Sequence, residues 1–418
     1  MIPTTDTIHG MKSRTALFVQ LLCTLTVLLQ PLRAQDPISK KSLMLIDSAL
    51  SVMDMSKRDL ALRHDLVSSD FHRLSGVNAL FYAPLKAADY AAWYSRAMRE
   101  VDPDHGDALF ARVMSDCQLG VYQNVDYNSS GTLAEYNVKV STPRGDSIPA
   151  RVLENFTMSY VLRQFVLPVL HAAKLMQSSH AALMKKTFLR AQADSLFMMS
   201  SDDASATVYE LKLAELRADS TSRAFFDDAA AYDAERITST SLSVFRHLLL
   251  SCGLAKTGMS VLRDSVISCV IETPYGRIAI GSVSDDVYSG DYLLILDIGG
   301  NDRYDFTHSK ESAASRALRV LIDLSGNDDY RGSSYTLGAG IFGGNLLIDC
   351  AGNDSYKAGS FSLGAGLFGV GAVYDAEGSD SYIGGTFSQG AGAFGIGLLV
   401  DNAGNDSYIV QAYGQAFG

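Results

Sequence analysis

The sequence predicts an α+β protein in which an N-terminal α-helical domain is followed by a parallel β-solenoid of 26-residue repeats. Three observations carry this expectation. Aspartates recur at Asp297, Asp323, Asp349, Asp375 and Asp401, each 26 residues after the last. Second aspartates at Asp302, Asp328, Asp354, Asp380 and Asp406 keep the same step, and so do Tyr304, Tyr330, Tyr356, Tyr382 and Tyr408. Before the repeats, from about 42 to 261, apolar residues instead fall three and four apart, the period of an amphipathic helix.

The repeat is best seen in "SFSLGAGLFGVGAVYDAEGSDSYIGG". Short runs of Val, Leu, Ile, Phe and Tyr lie between glycine-rich corners, which suits strands and not helices. A fixed period with every residue class in step marks a stacked fold, because one unit is too small to bury its own apolar face. Twenty-six residues wrap once around as two or three strands, with coils about 4.8 Å apart. Glycines at 338, 364 and 390 and at 340, 366 and 392 fit corners where a Cβ is excluded. The aromatic positions Tyr335, Phe361, Phe387 and Tyr413, and Phe342, Phe368 and Phe394, should form stacked ladders. "GSVSDDVY", from Gly281 to Tyr288, has the same Asp-Asp-x-Tyr ending out of register and reads as a lead-in coil. The rival geometry is an up-and-down β-barrel of the outer-membrane type, with "NAGN" as a hairpin turn. The blurred alternation of the Gly-x-Gly-x-x-Gly-x-Gly run argues against it.

The expected domains are a signal peptide at 1–34, a helical domain at 42–261, and a Gly/Asp-rich repeat domain at 271–418. The repeats start near Asp297, Asp323, Asp349, Asp375 and Asp401. In the helical part, "AALMKKTFLRAQADSLFMM" and "ATVYELKLAELRA" read as helices, and "YAAWYSRAMREVDPDHGDALFARVMSD" as helix, Asp-Pro turn, helix. "STSLSVFRHLLLSCG" reads as a helix with a hydroxyl cap at Ser239 and a glycine stop at Gly253. The stretch near 123–149, with "AEYNVKVST", should be a short β or loop insertion.

Lys12 and Arg14 precede the apolar run "TALFVQLLCTLTVLL" and then "QPLRAQD", the layout of an export signal with Ala34 as the last residue removed. The run is short for a membrane span. The mature protein is therefore expected beyond the cytoplasm: periplasmic, on the cell surface, or secreted. Four cysteines then remain in a compartment that permits disulfides, and Cys252 with Cys269 is the pair nearest in sequence. No spacing of a zinc site occurs among them.

The chain carries a formal charge of −11, and from Gly276 onward it holds 17 acidic against 7 basic residues. The acidity is concentrated in the repeats. Such a field excludes nucleic acid and an anionic membrane as partners of this part and favours cations. The bland alternative is a solvated acidic surface. The helical part holds no H-E-x-x-H, G-x-S-x-G or phosphate-cradling loop, and its histidines, His171 and His247 among them, have no local catalytic signature.

Stacked coils would bring identical aspartates to roughly 5 Å, where they repel unless neutralised. The candidate metal residues are Asp297, Asp302, Asp323, Asp328, Asp349, Asp354, Asp375, Asp380, Asp401 and Asp406. Calcium is the expected ion, because the recurring donors are carboxylates, Asn carbonyls and backbone carbonyls, with no His or Cys in step. The alternative is an Asx ladder in which Asn and Asp close the corners on backbone N–H groups without a metal. Ser379 in the slot of Asn301, Asn327, Asn353 and Asn405 fits turn chemistry.

The corner sequences "GGNDRY", "SGNDDY" and "AGNDSY" resemble the second half of the RTX calcium nonapeptide, G-G-x-G-x-D-x-U-x, of exported bacterial proteins. The resemblance implies a calcium-ligand role for Asp302, Asp328, Asp354, Asp380 and Asp406, with the motif's glycine at Gly300, Gly326, Gly352, Gly378 and Gly404. The first two motif glycines are absent and the period is longer, so any ion must sit in a different frame.

The expected function is an exported structural or interaction repeat protein, calcium-stabilised, with a glycan or another surface protein as partner. The first alternative is a polysaccharide-acting enzyme on the solenoid, with paired aspartates as acid and base. Identical reiteration argues against it, since catalysis needs one pair made different. Only His308, Lys310, Arg316 and Arg319 approach that. The second alternative is the outer-membrane barrel, the one case with a membrane partner. The sequence stops at Gly418 partway through a repeat, and the natural chain is expected to continue.

Overall fold

The computed structural model describes residues 27–29, 40–57, 60, 79–80, 82–99, 106–127, 131–153, 155–184, 232–308 and 316–415. Most of the export-signal stretch, "ATVYELKLAELRA", the larger part of "AALMKKTFLRAQADSLFMM", and Lys310 lie outside the described residues. Among the described residues no helix is long and apolar enough to cross a membrane.

The repeats form a parallel β-solenoid with three strand-bearing faces. The first face stacks Leu294–Asp297, Leu318–Asp323, Gly344–Asp349, Val370–Asp375 and Ile396–Asp401. Each residue pairs with its counterpart in the next repeat, so Asp349 stands between Asp323 and Asp375. The second face stacks Val287–Ser289, Arg303–Phe306, Asp329–Gly332, Ser355–Lys357, Ser381–Gly384 and Ser407–Val410. The third is narrow, with Gly340–Ile341, Gly366–Leu367 and Gly392–Ala393. Parallel pairing from coil to coil rules out the up-and-down barrel, whose hairpins would pair antiparallel. The lead-in coil is as expected, with Tyr288 pairing against Tyr304.

Alternation explains the nearly continuous apolar runs of the first face. Ile295, Leu321, Leu347, Val373 and Leu399 point into the solenoid, against the tyrosines. Leu294, Leu296, Ile322, Leu346, Ile348, Leu398 and Val400 point outward and join one core with the helices. A strand buried on both sides has no polar face to alternate with. The helical half is thus packed along the outside of the first face, and the interior is shared by the inward aliphatic side chains, the aspartates and the tyrosine rings.

Three aromatic ladders run along the stack. Tyr304, Tyr330, Tyr356 and Tyr382 are fully buried with ring centroids 4.6 Å apart and planes within 5°. Phe342, Phe368 and Phe394 stack at 4.9 and 4.8 Å, and Tyr335, Phe361, Phe387 and Tyr413 at 4.9 to 5.3 Å. The last set adopts left-handed backbone, with φ of 65° at Tyr335 and 51° at Phe361. Leu337, Leu363, Gln389 and Gln415 do the same. Each costs about 1–2 kcal/mol relative to glycine, which packing against the equivalent residue of the neighbouring coil offsets.

The helix predicted from Ser239 to Gly253 runs from Ala234 to Thr257, capped by Asp233, whose carboxylate accepts from the Arg236 amide. Ser239 does not end it, because its hydroxyl bonds to the Gln123 backbone and that of Ser243 accepts from the Val125 amide. Helices Ala87–Arg99 and Gly106–Asp116 appear as expected, tied by the Tyr90 and Tyr94 hydroxyls donating to Asp116. The insertion near 123–149 yields the strand Lys139–Ser141, which pairs antiparallel with Cys269–Thr273. That strand in turn pairs with Gly276–Ile280, so an antiparallel edge closes the N-terminal end of the stack. At the other end, Val27–Leu29 pairs in parallel with Leu398–Val400. Cys252 and Cys269 are buried free thiols, not the disulfide that sequence proximity suggested. Cys252 instead faces Cys350 from the long helix.

Candidate metal centre

The corner between the first and second faces carries the chemistry. Each first-face strand ends in an aspartate that alternation turns inward: Ile295 in, Leu296 out, Asp297 in. A tight turn then delivers the second aspartate back toward the same line. Across the stack this makes one interior row in which leading and corner aspartates are at most 3 % exposed, from Asp297 through Asp401.

The row resolves into overlapping trios: Asp286, Asp297 and Asp302; Asp302, Asp323 and Asp328; Asp328, Asp349 and Asp354; Asp354, Asp375 and Asp380; Asp380, Asp401 and Asp406. Within each, one carboxylate oxygen per residue lies within 4.8 Å of the others. All ten sequence-predicted residues are brought together, and Asp286 of the lead-in coil, which the irregular register hid, joins them. A trio joins a corner aspartate with both aspartates of the next coil. Asp349 and Asp354 therefore share a site with Asp328 but not with Asp323.

Each oxygen has a distinct use. The leading aspartates accept from buried tyrosines: Tyr304 donates to Asp323 Oδ2 at 2.5 Å, Tyr330 to Asp349 at 2.5 Å, and Tyr356 to Asp375 at 2.7 Å. Tyr288 donates likewise to Asp297. The pattern turns back at the end of the stack, where Tyr382 also donates to Asp375 and Tyr408 to Asp401 of its own coil. The second oxygen of Asp323 accepts from the Ser325 amide and that of Asp349 from the Ala351 amide, at 2.8 and 3.1 Å.

The corner aspartates spend one oxygen on the coil before. Asp328 Oδ1 accepts from the Asp302 amide at 2.6 Å, Asp354 from Asp328 at 2.6 Å, and Asp380 from Asp354 at 2.7 Å. Their other oxygen, Oδ2 of Asp302, Asp328, Asp354 and Asp380, is buried and accepts from no N–H or hydroxyl group among the described residues. Oδ1 of Asp375 and of Asp401 is likewise unsatisfied. The expected Asn carbonyl ligands are not in this row. Asn301, Asn327 and Asn353 each accept the amide of the next coil's residue at 2.8 to 3.0 Å on the exposed side, and Ser379 does so with its hydroxyl.

The glycines make room. A Cβ on Gly352 would stand 1.9 Å from the Gly326 carbonyl oxygen and 2.7 and 2.8 Å from the two oxygens of Asp354. Gly326 and Gly378 face the same triad of oxygens. Each corner is therefore a cradle of oxygen atoms that a side chain would fill.

Electrostatics cannot leave this row fully ionised. Two unit charges one coil apart repel by about 3–4 kcal/mol at an effective dielectric near 20. Burial, reinforced by neighbouring carboxylates, pushes Asp297 and Asp375 up to about 8 and Asp328 up to about 9. Asp354 and Asp401 rise to about 7, Asp302 and Asp380 to about 6, each chiefly through burial. The tyrosines are pushed far up by the same burial and by the carboxylates they face, so they remain donors. Either protons or cations must accompany the row at neutral pH. An all-oxygen set of carboxylates and glycine carbonyls fits a hard cation.

The other candidates lie elsewhere. Arg316 and Arg319 both bond to Asp291, at 2.5 and 3.0 Å, and not to the acid row. His308 is exposed, and His247 bonds the Gln164 carbonyl and packs on Tyr127. Compared with known families, curated proteins and solved structures, the chain matches none.

Proposed function

We propose that the solenoid is a cation-stabilised structural scaffold of an exported protein, and that the cation is calcium. The observation that carries this reading is the row of buried, unpartnered Oδ2 atoms on Asp302, Asp328, Asp354 and Asp380. The corner amides are already satisfied by Oδ1 and by the asparagines, so turn chemistry alone leaves these oxygens without a role. The ligands would be the aspartate trios with the adjacent glycine carbonyls, and a bound divalent ion would supply the positive charge that lets the carboxylates ionise together. The corner resemblance to RTX repeats and the export-type N-terminus support the same reading, in which the regular outer faces meet a glycan or another surface protein. The reiterated acids serve a scaffold better than a polysaccharide-cleaving enzyme, since no coil makes one acid pair chemically distinct.

The test is unfolding of the purified protein in EDTA and in millimolar calcium, with bound calcium counted by equilibrium dialysis. A rise in midpoint with several ions per chain supports the proposal. An unchanged midpoint with no ion retained overturns it and leaves a ladder neutralised by protons.

A further inference from the structure

The long helix Ala234–Thr257 and the solenoid meet through a pair of cysteines that no disulfide joins in this structure. Cys252 lies on the helix and Cys350 directly follows the strand Gly344–Asp349. They are 4 % and 1 % exposed, and the Cys252 thiol is within hydrogen-bonding reach of Cys350. The helix follows this part of the stack closely. Its Ser241 hydroxyl occupies the space a Cβ on Gly344 would need, and Lys256, one turn beyond Cys252, reaches Glu377 at 3.2 Å. Tyr374, from the next coil, stands beside both sulfurs.

We propose that Cys252 and Cys350 form a disulfide that staples the helical half to the middle of the solenoid. The chemistry is thiol–disulfide exchange with an external disulfide such as oxidised glutathione. One thiolate attacks the reagent and releases a small thiol, and the second thiol then displaces the other half. Two protein thiols are oxidised as one reagent disulfide is reduced to two thiols. Both sulfurs are buried, so the bond should close during folding or when the helix lifts, not by attack on the native surface. Once closed, it is shielded from reductants by the same burial.

The test is refolding from denaturant with oxidised glutathione, alkylation of remaining thiols in denaturant, and peptide mapping without reductant. The expected result is a Cys252 peptide linked to the Cys350 peptide and separated by reduction, with Cys269, buried and free in the structure, recovered alkylated. Recovery of Cys252 and Cys350 both alkylated, or of Cys252 joined to Cys269, overturns the proposal. The mapping uses the unaltered chain. Cys252→Ser, where it folds, should leave Cys350 alkylated and remove the rise in unfolding midpoint that oxidation gives.

Discussion

Removing divalent cations should make the solenoid less stable as pH rises, the reverse of an ordinary acidic protein. Carboxylates with folded-state values of about 6 to 9 bind protons that the unfolded chain, near 4, has already released. The stability linked to those protons is fully present below the unfolded value and is lost as pH climbs through the folded ones. At pH 7 the groups near 8 and 9, Asp297, Asp328 and Asp375, are among those still protonated. If one to three excess protons are held, stability falls by about 1.4 to 4 kcal/mol per pH unit, an order of magnitude set by the linkage relation. Calcium replaces protons with fixed charge, so its stabilisation should grow from small at pH 5 to large at pH 9. Unfolding midpoints followed by circular dichroism across that range, in EDTA and in calcium, test this. A flat or rising EDTA curve between pH 6 and 9 would refute the buried-acid argument, and a falling curve that calcium cannot raise would refute the metal.

Four substitutions separate the parts. Gly352→Ala should disrupt stacking whatever the solvent ions, because its Cβ meets backbone at 1.9 Å; a loss of several kcal/mol in urea unfolding is expected, and an unchanged midpoint refutes the close approach. Tyr330→Phe leaves Asp349 Oδ2 without its donor and should cost about 1–3 kcal/mol, read by the same assay; a neutral result means that hydrogen bond is not made. Asp354→Asn keeps an oxygen for the Asp328 amide but removes a carboxylate shared by two trios. In EDTA at pH 8 it should be neutral or stabilising, and in calcium destabilising with fewer ions bound. Asn353→Ala should lower stability by about 1 kcal/mol and leave the calcium response intact; a lost response would place Asn353 among the ligands.

The period made the repeat architecture legible, because identical residues at a constant step can only stack. It also placed the acids together, since Asp349 and Asp354 move with their neighbours as rigidly as Tyr356 does. What the period could not reveal is how oxygens divide within one side chain. Asp354 and Asn353 look equivalent in sequence as Asx residues, yet one is buried and accepts the amide of the coil before, and the other lies on the exposed side and accepts the next coil's amide. Asp286 was hidden by a step of 16 to Asp302 where the others keep 26, and only the pairing of Tyr288 with Tyr304 puts it in line. The bounds of the long helix failed for a tertiary reason. Ser239 and Ser243 are cap-like residues whose hydroxyls are committed to the chain at 123–125, a contact over 100 residues away in sequence. The left-handed tyrosines, phenylalanines and leucines were also illegible, because propensity assigns such backbone to glycine, and only coil-on-coil stacking repays its cost.

The division of labour at the corner also frames the choice between the metal and the dry ladder, which need not exclude each other. Asn and Oδ1 of the corner aspartates satisfy the amides from coil to coil, and this network would stand without an ion. Were that the whole purpose, asparagine in the corner slot would serve equally and avoid burying an acid. The slot is instead Asp at 302, 328, 354, 380 and 406, and the leading slot keeps Asp at all five positions, though burial raises the free energy of the charged form from Asp297 through Asp401. Under repeated physical penalty the added oxygen needs a compensating partner. Proton sharing between a leading and a corner carboxyl would supply one at low pH, but it weakens through the neutral range, where only a cation keeps the row both ionised and packed. The decisive comparison is therefore Asp354→Asn against the unaltered chain at pH 8 with and without calcium. A proton ladder predicts the same effect in both conditions, whereas a cation ladder requires calcium to turn a neutral or stabilising effect into a destabilising one.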